Sequence, residues 1–137
     1  MSKKINQRLK DLDKPIKTNK YGAKKTKYND RYYDSNKECV KAQDLDWMLK
    51  AGEIKDWQPQ HQWELYVEGE KICGYKIDFR VVHNDGTVDY IEIKGARTYA
   101  FNIKWNLTQA LFDKLTEGEN ARLLLNDKVV KQSFTEQ

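Results

Sequence analysis

The sequence predicts an α/β (α+β) fold: a mixed sheet flanked by helices, in the order helix, three strands, helix, strand. Three observations carry that expectation. Apolar residues recur at helical spacing in two separated stretches, near residues 36–50 and 99–115. Between them lie three stretches of period-two alternation, joined by Glu68-Gly69-Glu70-Lys71 and Asn84-Asp85-Gly86. A short apolar run over 121–125 follows the second helical stretch, which can therefore be a crossover returning to a parallel strand.

Each element has its own local signal. Ser35-Asn36-Lys37-Glu38 has the S-x-x-E form of a capping box. Glu38, Ala42, Leu45 and Leu49 then continue at i, i+4, i+7 and i+11, Met48 widens the stripe, and Gly52 suits the C-cap. Trp57-Gln58-Pro59 reads as a break. His61 to Val67 alternates, with Trp63, Leu65 and Val67 on one side. Ile72 to Val82 alternates again, with Cys73, Tyr75, Ile77, Phe79 and Val81 on one face and Lys76, Asp78 and Arg80 on the other. Asn84-Asp85-Gly86 is a strong hairpin turn into a partner strand over 87–94, ended by Gly95. Phe101, Trp105, Thr108, Leu111, Phe112 and Leu115 mark the second helix. The tail from Asp127 to Gln137 reads equally as helix or strand.

Composition bounds the function. At 137 residues the chain is one ordinary domain. Purely apolar runs such as Leu123-Leu124-Leu125 reach only three residues, too short to span a bilayer, and no apolar stretch follows the first lysines as in a signal peptide. Cys39 and Cys73 form no CxxC pair, which excludes a disulfide scaffold and a zinc knuckle. The expectation is a soluble cytoplasmic protein with reduced thiols and no membrane partner. Charge is uneven: residues 1–31 carry eleven basic and three acidic residues, a net of +8, while the rest carries 14 basic and 18 acidic. Of the 30 Leu, Ile, Val and Phe, only 4 fall in residues 1–31. This divides the chain into a basic, partly flexible arm over 1–31 and a folded domain over 32–137. Such an arm is an electrostatic footprint for phosphate, and equally a solvated tail.

The chemistry concentrates on two neighbouring strands. Glu92 and Lys94, in Tyr90-Ile91-Glu92-Ile93-Lys94-Gly95, are two apart and share a face. Pairing about a turn centred near residue 85 sets Asp78 opposite a residue near 92. Two carboxylates and an ammonium then meet, a donor set for a hard cation such as Mg²⁺. A cation there polarises a phosphate and acidifies a bound water, with Lys94 orienting that water or stabilising phosphate charge. Glu38, on the inward stripe of the first helix, is placed to complete the site. Each residue also has a plainer role: E-x-K is common on solvated faces, Asp78 can pair across strands with Lys76 or Arg80, and Glu38 can simply close its capping box.

The conjunction resembles the PD-(D/E)xK nuclease superfamily, whose core is the restriction-endonuclease-like helix, three strands, helix and strand. The matching residues are Asp78 and Glu92-Ile93-Lys94; the motif's proline is absent, since Lys76-Ile77 precede Asp78. Lys20-Tyr21-Gly22-Ala23-Lys24, Asp34 to Glu38, Tyr75 to Phe79 and Ile91 to Gly95 resemble small phage proteins similar to phage endonuclease I, which resolve Holliday junctions. This resemblance spans roughly residues 20–115. It implies an Mg²⁺-dependent endodeoxyribonuclease, with Mn²⁺ able to substitute, that cuts branched four-way DNA during phage DNA processing, as a homodimer in the host cytoplasm. It implies that Asp78, Glu92, Ile93 and Glu38 form the metal set, and that Glu38, Asp78, Glu92 and Lys94 are catalytic. Lys20, Lys24, Lys25 and Lys27 of the arm, with Arg97 and Lys104, would hold the DNA backbone.

Other patterns are weaker. His83-Asn84-Asp85 suggests an HNH-type nuclease, but two histidines are too few for that fold. Trp63 and Trp105 fit a core better than a stacking platform, and Cys39 and Cys73 fit plain core positions. No Gly-rich phosphate loop and no Ser/His/Asp arrangement is present. Two alternatives remain beside the junction nuclease: a non-catalytic basic DNA-binding accessory protein, and a nuclease without junction preference.

Overall fold

A computed structural model describes residues 26–28, 31–33 and 35–134. The elements are β1 (Thr26–Tyr28), β2 (Arg31–Tyr33), α1 (Asn36–Lys50), β3 (Ile54–Val67), β4 (Glu70–His83), β5 (Val88–Glu92), α2 (Tyr99–Leu115), β6 (Ala121–Leu125) and β7 (Lys128–Ser133). The strands β3-β4-β5-β6-β7 form one mixed sheet in that order, and β1 and β2 form a separate hairpin. Only β5 and β6 are parallel, joined by α2 as the crossover. The fold is α+β, compatible with a restriction-endonuclease-like core.

Both helices start where a side chain meets the first free amides. The Glu38 amide donates to Ser35 Oγ at 3.1 Å, and the Phe101 amide to Thr98 Oγ1 at 3.1 Å. At the end of α1, Gly52 takes φ +74, just past the C-cap Ala51. The helices cover opposite layers of the sheet. Cys39, Ala42 and Leu45 of α1 pack with Tyr33, Ile54, Phe79, Val81, Ile91 and Leu124. Phe101, Trp105 and Phe112 of α2 pack with Trp63, Leu65, Tyr75, Ile77, Tyr90 and Leu123. All five residues of β5 are buried, as expected for a central strand covered on both faces. Truncating Trp105 to alanine removes the largest fully buried side chain and costs about 3–5 kcal/mol.

Four features depart from the sequence expectation or settle what it left open. First, β3 runs through Trp57-Gln58-Pro59 instead of breaking there, with Pro59 opposite Phe79. As a sheet edge, β3 needs no second ladder of N–H donors, so a proline fits. Second, β4 does not keep one apolar face. Tyr75 and Ile77 join the α2 layer, Phe79 and Val81 the α1 layer. The exchange falls at Asp78, opposite Gln60, which takes φ +52 in the middle of β3. Third, the described fold begins before residue 32: Tyr33 is buried against Phe79, and Tyr28 Oη donates to Asp46 at 2.6 Å. Trp57 Nε1 donates to the same carboxylate at 3.1 Å, so Asp46 ties the hairpin, α1 and β3 together. Fourth, the tail forms β7, antiparallel to β6. No described helix is long and apolar enough to cross a membrane.

Candidate active site

The Asn84–Gly86 turn sets the register that builds the site. Gly86 takes φ +89, a conformation open to glycine, and Asp85 Oδ1 accepts from the Thr87 amide and hydroxyl. The β4–β5 pairs then run from Val82↔Val88 to Phe79↔Ile91. One step further brings Asp78 beside Glu92, the juxtaposition expected from the sequence.

Glu92 is 7% exposed. Its Oε2 accepts a 2.8 Å hydrogen bond from Tyr75 Oη. Asp78 Oδ2 accepts from the Ile93 amide, also at 2.8 Å. Burial first, and then the Asp78 charge beside it, push Glu92 up to about 9; the Tyr75 hydroxyl and the Lys94 charge act in the other direction. At neutral pH the two carboxyls therefore hold a proton between them. Among the described residues, no polar side-chain atom is left buried without a partner.

Lys94 lies two residues beyond Glu92, past the end of β5 at Glu92. Its Nζ sits 4.9 Å from the Phe101 ring centroid, a cation–π contact. Its backbone is held on both sides by one side chain: the Lys94 amide donates to Asn126 Oδ1, and Asn126 Nδ2 donates to the Lys94 carbonyl, each at 2.9 Å.

The other expected residues are distributed as follows. Glu38 is buried in the first turn of α1. Among the described residues no three of His, Cys, Asp and Glu gather as a metal cluster, so Glu38 does not join Asp78 and Glu92 in one. The neighbouring buried residues of α1 pack on the Phe79–Ile91 layer, whereas Glu92 meets Tyr75 on the other. Arg97 stands over Phe101 at 5.7 Å and donates to Asn102 Oδ1 at 2.9 Å. Lys104 is half-buried on α2. Lys20, Lys24 and Lys25 lie outside the described residues, and Lys27 lies in β1. Arg80 is engaged by Glu119 at 2.8 Å and by Tyr90 Oη at 3.2 Å. His61 is half-buried against Trp63 and Tyr90 with its pKa lowered by burial.

Three contributions were missed. Tyr75 reads as apolar filling, and strict alternation sets it on the face opposite Asp78; only the exchange at Asp78 brings it to Glu92. Asn126 falls between the expected strand over 121–125 and the tail from Asp127 and carries no signal of its own. Asp89, 4% exposed, is held by Arg122 through two bonds of 2.8 and 2.7 Å and by His83 Nε2 at 2.8 Å. Its one sequence signal is an acid sharing a strand face with Ile91 and Ile93.

No curated protein and no solved structure matches this chain. Residues 18–124, well over half of the sequence, match the family described as "Protein of unknown function (DUF1064)". That stretch holds α1, the whole Asp78–Glu92–Lys94 arrangement and most of β6. The chain therefore belongs to the DUF1064 family.

Proposed function

We propose that this protein is an Mg²⁺-dependent endodeoxyribonuclease that hydrolyses phosphodiester bonds in branched DNA. One observation carries the reading: half-buried Asp78 meets buried Glu92, which lies two residues before Lys94. Setting a buried carboxylate against a second acid is costly, and a cation relieves that cost. The donor set fits Mg²⁺, which binds through one or two carboxylates and keeps several waters for substrate phosphates. Asp78 and Glu92 would hold it, with Ile93 contributing its carbonyl. A cation held there would supply Lewis-acid polarisation of the phosphate and would lower the pKa of a water so that it can attack once deprotonated.

The chain's own groups do the rest. The Ile93 amide fixes one Asp78 oxygen, and the Tyr75 hydroxyl fixes one Glu92 oxygen, so both carboxylates are oriented before a ligand arrives. Lys94 supplies an ammonium beside the pair, suited to orient the attacking water or to stabilise charge on the phosphate. Arg97, next to Lys94 over Phe101, adds a second cation for the DNA backbone. The preference for four-way junctions and the homodimer rest on the resemblance to junction-resolving nucleases.

The test is cleavage of a four-way junction, a matched linear duplex and a single strand, each with Mg²⁺ and with EDTA. Metal-dependent cuts near the branch point, lost in Glu92→Gln, are expected. Equal cutting of all three substrates would retain the site and remove the junction preference. Tight binding without cutting, unchanged by EDTA, would favour a non-catalytic DNA-binding accessory. Buried Glu92 beside Asp78 weighs against that alternative, because a binder needs no buried acid set against a second one.

A further inference from the structure

The structure assigns Asn126 as a positioning residue for Lys94, an inference that rests on the nuclease reading of the site. The β6–β7 connection is a two-residue turn, with Asn126 at φ +49 and Asp127 at φ +66 between the paired residues Leu125 and Lys128. Positive φ at both positions is the geometry of a tight hairpin, and asparagine accepts it readily. Turn chemistry alone explains an asparagine or a glycine there. It does not explain what the side chain does.

Asn126 makes three hydrogen bonds to the E-x-K segment. Its amide donates to the Glu92 carbonyl at 2.9 Å. Its Oδ1 accepts from the Lys94 amide, and its Nδ2 donates to the Lys94 carbonyl, both at 2.9 Å. Donor faces acceptor in both side-chain bonds, and the flipped carboxamide would set N–H against N–H, so its orientation is determined. The parallel β5–β6 ladder ends at Glu92↔Leu125. The Asn126 carboxamide takes the place of the next strand residue and carries the ladder on to Lys94. That matters because Lys94 is followed by Gly95 and a stretch of irregular chain before α2. The turn is itself anchored: Lys41 of α1 forms a 2.8 Å ion pair with Asp127. Asn126 thus fixes where the Lys94 backbone lies, and with it where Nζ stands over Phe101.

Asn126→Gly is the decisive variant. Glycine keeps the positive φ without strain and deletes both side-chain bonds. Asn126→Asp retains the acceptor and loses the donor to the Lys94 carbonyl. Two readouts separate positioning from general stability. In the metal-free protein, the Phe101 ring current shifts the Lys94 ε-methylene resonances, a signature a merely structural turn would leave in place. On junction DNA, kcat should fall about 10- to 100-fold in Asn126→Gly with KM nearly unchanged, and less in Asn126→Asp. Loss of the Lys94 shift in a folded Asn126→Gly protein, with the kcat loss, supports the assignment. An unchanged shift overturns it, as does unchanged kcat in a protein whose wild type cuts DNA. A wild type that cuts no DNA at all defeats the nuclease reading alone, and the Lys94 resonance still decides whether Asn126 holds that residue.

Discussion

Two buried carboxylates three residues apart on β5 have opposite surroundings. Asp89 faces cations: Arg122 grips it through two bonds, and His83 adds a third. Burial alone would raise its pKa, but the hydrogen bonds and charges of Arg122 and His83 outweigh that and lower it. Glu92 faces another acid. Burial and Asp78 drive it up to about 9, and its neutral partner is the Tyr75 hydroxyl. The same strand therefore carries one carboxyl that the protein's own cations hold charged and one that burial and a second acid hold protonated. The first pattern is that of a structural tie; the second is the one on which the proposed cation site rests.

The largest expected difference between them is in chemistry. Asp78→Asn and Glu92→Gln should each lower metal-dependent DNA cleavage by on the order of a thousandfold or more, the equivalent of several kcal/mol of transition-state stabilisation. Asp89→Asn, assayed at a temperature where it stays folded, should retain most of the activity. Comparable losses in all three would erase the distinction.

In stability the order reverses. Asp89→Asn strips Arg122 of its charged partner and should cost about 2 kcal/mol, moderated because the Arg122 side chain is 40% exposed. Glu92→Gln replaces a protonated acid by a neutral amide of the same shape and should leave metal-free stability at pH 7 unchanged or raised. Urea unfolding of the two variants measures both. A large loss in Glu92→Gln would mean that Glu92 is charged and paired.

The two groups also oppose each other in pH dependence. With its folded pKa raised, Glu92 keeps its proton when the unfolded chain has lost it. Its contribution is therefore full below the unfolded value of 4.5 and is lost as pH rises toward about 9. With its folded pKa lowered, Asp89 stabilises above the unfolded value of 3.8, and that contribution is lost as pH falls through the folded pKa. Thermal unfolding without divalent cations should thus lose its neutral-to-alkaline slope in Glu92→Gln and its acid slope in Asp89→Asn.

The smallest effect concerns the hydroxyl that separates Glu92 from an apolar neighbour. Tyr75→Phe should cost about 1 kcal/mol. Since the Tyr75 bond lowers the Glu92 pKa, its removal should move the rise of cleavage activity to higher pH. A profile that stays in place would show that Tyr75 only fills space.

Much of this arrangement is legible in the sequence, for identifiable reasons. Both helices are written in periodicity, the first also in Ser35 at its start, and the observed bounds of Asn36–Lys50 and Tyr99–Leu115 coincide with those expected. The Asp78–Glu92 juxtaposition follows from one short turn, because a two-stranded register propagates from its hairpin. What escapes is set by contacts between distant segments. The face exchange at Asp78 depends on the conformation of Gln60, eighteen residues away in the partner strand. Tyr75 reaches Glu92 through that exchange, and Asn126 reaches Lys94 only because β6 lies parallel to β5. The passage of β3 through Pro59 is visible only once β3 is known to be an edge.

The most direct test of the central claim is calorimetric titration of the wild type, Glu92→Gln and Asp89→Asn with Mn²⁺ at pH 7 in buffers of different ionisation enthalpy. If the Asp78–Glu92 pair is a cation site held by a proton, Mn²⁺ should bind the wild type with release of about one proton. Asp89→Asn should behave in the same way, and Glu92→Gln should lose both the heat and the proton. Absence of binding in the wild type, or identical binding in Glu92→Gln, would contradict the account.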